Sequence, residues 1–487
     1  MTNFIHDNLI LVFFALALMA VVLLLKFLKR PELGLYLTFF ATGILIAPKL
    51  PILREKFTGV EILMTLTWTA LLLRSVSSPR SAKLTKSQSN SLILGAVFIG
   101  WIVLSFAINN ATHPITVTEN FGSLIETFNF IYGYLMFITV VFMARDWSRW
   151  KSCLNSWLWG AVVVSAFGLW ALSGHGPSWT YDSFTHRVCS TLRTENQVPS
   201  FLLPIFVVLV FMIAQRGRRP RDKWALTVLL AGVSLTAIAS GSRTSLLMLA
   251  FSGIGIVYIT LRESRYRAFN KERLIRISFF AIFTFIAYVL FALAGYKGDY
   301  ALGHTPAWKR PVLMLYEWTQ GSSNLDDNRT EQLKVVSENI SDNLVMGTGP
   351  KNYGYYGVEE IHNTYAGILF QTGVPGLIFF LFWILTVLQT GLKAGKRIPD
   401  PHQRLIILCM VAGMVLLLLY SLTMFGLRQR NIWLLAGLLV ASDSFVPRRR
   451  SPILGPLGSR MEDPTTNLGL DSSMPKGLSS LGSGGKP

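Results

Sequence analysis

Long apolar runs alternate along this chain with short loops rich in lysine and arginine. The runs reach about 18 to 25 residues, the length at which a helix crosses the hydrocarbon core of a bilayer. Candidate spans cover residues 8–25, 33–47, 59–73, 91–109, 121–144, 154–174, 197–214, 224–240, 244–261, 277–295, 362–390, 405–424 and 431–442. The second, third and last are short for a full crossing. The sequence lacks the short alternating strands of a membrane barrel. The expected fold is an all-α polytopic membrane protein with about 12 to 13 transmembrane helices. A long outer-face loop with an amphipathic helix interrupts them.

Charge gives the bundle a direction. Lys26, Lys29 and Arg30 follow the first span, and Arg74, Arg80, Lys83 and Lys86 follow the third. Arg145, Arg149 and Lys151 follow the fifth, and further basic clusters follow the seventh, ninth, eleventh and last. These loops belong on the cytoplasmic face. Lys49, Arg54 and Lys56 break the alternation, so the second span reads as re-entrant or misassigned. The chain then divides into N-terminal helices (1–174), central helices with an outer Arg/Asn loop (175–295), an outer-face loop (296–361), C-terminal helices (362–446) and a Gly/Ser/Pro-rich tail (447–487). The tail is expected to be disordered and cytoplasmic. The first run lacks a basic start and a small-residue cleavage site, so it reads as a retained helix.

Composition adds exclusions. The net charge of +19 sits in the inter-span loops and not in a basic domain, so nucleic acid is not an expected partner. Cys153, Cys189 and Cys409 are far apart, which argues against a disulfide framework. Cys189 reads as a lone thiol on the outer side. The scattered histidines and acids form no metal constellation, and no cofactor is expected.

The remaining chemistry gathers where outer loops meet spans. His362 and Asn363 stand at a polar-to-apolar border, after Glu359 and Glu360. His362 reads either as a plain interfacial histidine or as a base able to take a proton from a hydroxyl. Glu360 reads as a partner that orients it or as a solvated loop charge. Arg243, in Ser240-Gly-Ser-Arg-Thr-Ser245, reads as a snorkelling arginine or as an anion site in a small-residue pocket. Arg329 opens the amphipathic stretch 329–344, where Leu333, Val336 and Ile340 share one side and Glu331, Lys334 and Glu338 face away. Arg329 is a loop ion-pair former or a phosphate clamp. Arg193 is open between headgroup and substrate contact, and Asn196 between helix cap and ligand.

Taken together, these stretches resemble a known family. His362-Asn363, nine residues, then Gly373-Val-Pro-Gly376 is similar to the His-Asn…Gly-x-x-Gly signature of the O-antigen ligase and O-antigen polymerase superfamily. Ser242-Arg243, Leu192-Arg-Thr-Glu-Asn196, and Arg329 followed by Gly347-Thr-Gly-Pro-Lys-Asn-Tyr353 resemble its other motifs, in the expected order across 182–380. Gln332 and Leu333 stand in the region where the family usually carries a tryptophan. The resemblance implies a metal-independent inverting glycosyltransferase in the bacterial inner membrane, with its active site facing the periplasm. Its donor would be an undecaprenyl-pyrophosphate-linked glycan. The acceptor would be lipid A core, a lipid-linked glycan or a protein hydroxyl. His362 would be the general base, Arg243, Arg329 and Arg193 the pyrophosphate ligands, and Asn363, Asn196 and Glu360 supporting residues. A solute transporter and a non-catalytic membrane scaffold are the competing readings.

Overall fold

A computed structural model of the chain describes residues 9–45, 58–77, 83–112, 117–182, 187–215, 219–242, 244–245, 248–253, 327–352 and 360–446, with single positions 272, 279, 286, 289, 290, 293 and 309. The helices are α1 (Leu9–Lys29), α2 (Pro31–Ala41), α3 (Gly59–Ser77), α4 (Lys86–Thr112), α5 (Val117–Met143), α6 (Trp147–Leu172), α7 (Gln197–Ala214), α8 (Pro220–Ala239), α9 (Asp327–Asn339), α10 (Thr364–Arg397), α11 (Pro401–Tyr420) and α12 (Arg430–Ala441). Among the described residues seven helices, α4 to α8 with α10 and α11, are long and apolar enough to cross a membrane. The protein is thus an all-α polytopic membrane protein. Most of the expected spans at 244–261 and 277–295, the loop at 296–326 and the tail from 447 lie outside the described residues.

Helix α7 is the centre of the bundle. It carries no charged side chain, and nearly all of it is buried. A helix apolar on every side needs neighbours all round; α7 has α6, α8 and α11. Helix α10 packs on α4 and α11, and α12 lies against α5. Helix α12 has only 12 residues, about 18 Å of rise, and is buried from Asn431 to Ala441.

The bundle has two chemically distinct ends. At one, Gln88 Nε2 donates to Ser444 Oγ at 2.7 Å and Trp150 Nε1 donates to Leu438 O at 2.9 Å. This end collects the basic helix termini, including Lys29, Arg74 and Lys86. At the other end lie the start of α10 and the finish of α11, joined where Thr364 N donates to Ser421 O at 2.8 Å.

The short second span is a partial helix. Helix α2 has 11 residues, about 16 Å of rise, roughly half a bilayer. Just beyond it, Leu45 N donates to Thr191 O at 2.9 Å, and Thr191 Oγ1 returns a bond to Gly43 O at 2.6 Å. Thr191 belongs to a segment that dips into the bundle. Ser190, in the left-handed region with φ 55°, donates from Oγ to Val164 O at 2.6 Å. Val164 lies two turns, roughly 12 Å, before the end of α6. Irregular backbone at that depth persists only where protein partners satisfy it. Here Thr180 O accepts from Cys189 N at 2.8 Å and Ser190 N at 3.1 Å, and Ala239 O accepts from Val188 N at 3.3 Å.

Candidate functional site

His362 is held by its backbone on both sides. Its N–H donates to Gln332 Oε1 at 2.9 Å. The next residue, Asn363, has extended backbone and caps α10: its Oδ1 accepts from Tyr365 N at 3.0 Å and Ala366 N at 3.1 Å. The first N–H groups of a helix have no intrahelical partner, and an asparagine oxygen supplies one. Between these anchors the imidazole of His362 is exposed. Asn363 is therefore the N-cap of α10, directly after His362.

Helix α9 brings Gln332 to this position. Its Val336 packs with Ile361 and Phe370 under the start of α10. The amphipathic face differs from the sequence expectation. The buried stripe runs through Gln332 and Val336, whereas Leu333 is 48% exposed. A glutamine with a backbone partner can occupy a buried place, and this rotates the helix away from the purely apolar solution. Glu331, Lys334 and Glu338 face outward as expected. Arg329 falls in the first turn of α9, but its side chain lies outside the described residues.

The glycines after His362 break α10. Gly373 has φ 69° and ψ −174°, far from helical values. The loop after α9 runs into the gap. Val374 N donates to Leu344 O at 2.8 Å, Thr348 N to Phe370 O at 2.8 Å and Gly349 N to Gln371 O at 3.0 Å. Helix α4 closes the rest: Trp101 Nε1 donates to Thr372 O at 2.8 Å, and Ser105 Oγ lies 2.6 Å from Met346 O and 2.9 Å from Gln371 O. The two glycine motifs, 347–349 and 373–376, thus fit together physically. A side chain at Gly347 would meet the Gln371–Thr372 backbone at 2.4 Å.

Charged residues surround this end. Arg428 Nε pairs with Glu126 Oε1 at 2.6 Å, and its Nη1 pairs with Glu360. Arg430 pairs with Glu61 at 3.0 Å and donates to Asn129 Oδ1 at 3.1 Å. Glu360 thus turns to Arg428, two residues before the histidine. Glu359 lies outside the described residues.

A second cluster occupies the re-entrant segment. Arg187 Nε donates to Ser240 O at 2.7 Å, Nη1 pairs with Glu195 at 2.7 Å, and Nη2 donates to Asn196 Oδ1 at 3.2 Å. Asn196 precedes α7 without a side-chain capping bond, because its oxygen is committed to Arg187. Arg193 is exposed, with its N–H donating to Gln197 Oε1 at 3.0 Å. Cys189 in this segment is a buried free thiol. Tyr420 joins the two clusters: its hydroxyl donates to Asn196 O at 3.0 Å and lies 3.4 Å from Ser242 Oγ. The next residue, Ser421, bonds the start of α10. Arg243, directly after Ser242, lies outside the described residues.

Sequence reading missed Arg187, Arg428, Arg430 and the role of Gln332. Arg428 and Arg430 had one visible signal, since Glu61 and Glu126 fall inside expected spans, where acids require cationic partners. No curated protein matches the chain. Residues 226–381 match the family described as O-antigen ligase, from α8 past the Ser240–Ser242 turn and His362 to beyond the Gly373 break.

Proposed function

We propose that the protein is a ligase or polymerase of a surface polysaccharide, moving a glycan from undecaprenyl pyrophosphate to an acceptor hydroxyl. The observation that carries this reading is the setting of His362. Its main chain is fixed by Gln332 and by the Asn363 cap, its imidazole is open, and it lies inside the stretch that matches O-antigen ligase. A general base needs a fixed origin and access to the hydroxyl it deprotonates.

In the proposed step the acceptor oxygen attacks the anomeric carbon while its proton passes to His362. The bond from that carbon to the pyrophosphate oxygen breaks, and the lipid pyrophosphate leaves with the electron pair. A single displacement inverts the anomeric configuration. Negative charge grows on the pyrophosphate, and Arg243, Arg329 and Arg193 are assigned to it because a planar guanidinium matches phosphate oxygens. Charge neutralisation in this proposal rests on arginine and is metal-independent. Arg187, already engaged by Glu195 and Asn196, is assigned to shaping the segment that presents Arg193. The site would face the outer side of the bacterial inner membrane, opposite the basic end of the bundle.

The transporter reading has one feature in its favour, since broken helices also form solute sites. Here the break in α10 is filled by the protein's own loop 344–349, so a solute would have to displace those bonds.

The deciding experiment is glycan analysis of cells whose own copy is replaced by His362→Ala at wild-type abundance. The expected result is loss of acceptor-bound polymer with build-up of lipid-linked donor. Normal polymer in that strain would overturn the catalytic assignment. Single repeats on the acceptor would indicate a polymerase, and unattached lipid-linked polymer a ligase.

A further inference from the structure

At the basic end of the bundle, away from His362, a groove of about 350 Å³ opens between α1, α2, α3, α5 and α6. Lys29, Arg74 and Arg149 line it, each from a different helix, with Glu32 as the one carboxylate among the lining residues. Leu71 and Phe142 form part of its apolar wall. The geometry points to a binding site for the phosphate of an anionic glycerophospholipid from the leaflet at this end.

Two observations favour a lipid. The lining carries three cations against one carboxylate, so a phosphate is the complementary charge. Arg149 also pairs with Asp146 at 3.1 Å, but both side chains are about half exposed, and such a pair contributes little that a phosphate could not replace. The groove also lies where apolar helix surface meets the basic termini. Leu25 is 58% exposed and Leu72 is 69% exposed on the same helices, giving acyl chains a surface below the headgroup. A soluble anion would use the cations but not this surface. Basic pockets between helices at the cytoplasmic boundary are suited to lipid phosphates.

The test uses the purified full chain in neutral detergent, titrated with phosphatidylglycerol, phosphatidylethanolamine or inorganic phosphate and followed by native mass spectrometry. Phosphatidylglycerol is expected to stay bound and phosphatidylethanolamine to bind at least tenfold more weakly. Arg74→Gln should weaken phosphatidylglycerol retention about fivefold, the scale of one cation near a charged membrane surface. Glu32→Gln should strengthen it, a gain that a poorly folded variant would not show. Equal retention of the two lipids would overturn the proposal, as would an unchanged Glu32→Gln variant. Displacement of the lipid by millimolar inorganic phosphate would reassign the groove to a soluble anion and overturn it as well.

Discussion

At the scale of single residues, the site depends on neutral hydrogen bonds that set main-chain direction. Gln332 is the clearest case. Its Oε1 accepts from the His362 N–H, and a neutral bond of this kind contributes about 1 kcal/mol net, more when its loss leaves a donor buried. Gln332→Leu should lower turnover roughly tenfold, the kinetic equivalent of about 1.4 kcal/mol, with donor KM little changed. Gln332→Glu keeps the acceptor oxygen at the cost of burying a carboxylate, so it should recover only part of the activity that Gln332→Leu loses. Equal losses in both variants would show that Gln332 acts through packing alone. Cys189 gives a second prediction at this scale. An ordinary thiol is about half ionised near pH 8.5, whereas Cys189 is buried, which disfavours its thiolate. The thiolate is the reactive form. Iodoacetamide at pH 8.5 should therefore leave Cys189 unmodified in the folded protein and alkylate it after denaturation, as read by peptide mass in a Cys153→Ala/Cys409→Ala background. Rapid labelling of the native chain would contradict the burial. The sequence hid part of each residue's setting: Gln332 looked like a departure from a motif, and Cys189 read as a free thiol, which it is, with no sign of its burial.

At the scale of elements, helices with a continuous apolar run were legible and their ends were not. The expected span 197–214 coincides with α7, whereas 91–109 became Lys86–Thr112 and 154–174 became Trp147–Leu172. Polar residues that extend a helix past the hydrocarbon core leave no hydropathy signal. The re-entrant segment was also hidden, because its depth depends on backbone bonds to Val164, Ala239 and Gly43. The break in α10 was visible only as a glycine spacing. Its physical content is now testable. Gly373 needs φ 69°, and a Cβ there would sit 2.3 Å from Val345 O. Gly373→Ala should therefore cost several kcal/mol, since it combines backbone strain of about 1–3 kcal/mol with a main-chain clash. Gly100→Ala in α4 is the control: nothing lies within 4 Å of its Cβ position, and the change should be neutral or stabilise by up to about 1 kcal/mol. Detergent-solubilised yield and thermal unfolding would compare them. A folded Gly373→Ala protein with a wild-type melting temperature would mean that the break is not required.

At the scale of the whole molecule, the end that carries His362 is held by ion pairs whose partners are remote in sequence. Glu126 and Glu61 could be flagged from the sequence as charges inside spans. Their partners are 302 and 369 residues away, Arg428 just before α12 and Arg430 its first residue. No local pattern could reveal such pairs. They fasten α3 and α5 to the segment that also bonds the start of α10. Glu126 is almost fully buried, with its side chain 3% exposed, while Arg428 is partly open. Removing one partner of such a pair leaves an uncompensated charge and costs about 3–5 kcal/mol, whereas replacing both with neutral side chains costs far less. Arg428→Met should accordingly destabilise the fold strongly and reduce the proposed glycan transfer with it. Adding Glu126→Gln should restore much of the stability, because the stranded carboxylate is gone. Activity should recover less, because Glu360 still lacks its cationic partner two residues before His362. Denaturation in mixed micelles across the four members of the cycle measures the coupling, and transfer assays on the same preparations separate stability from positioning. Additive losses would remove Arg428 as the link between the bundle and the histidine. Stability and activity recovering in parallel would instead limit its role to holding the helices together.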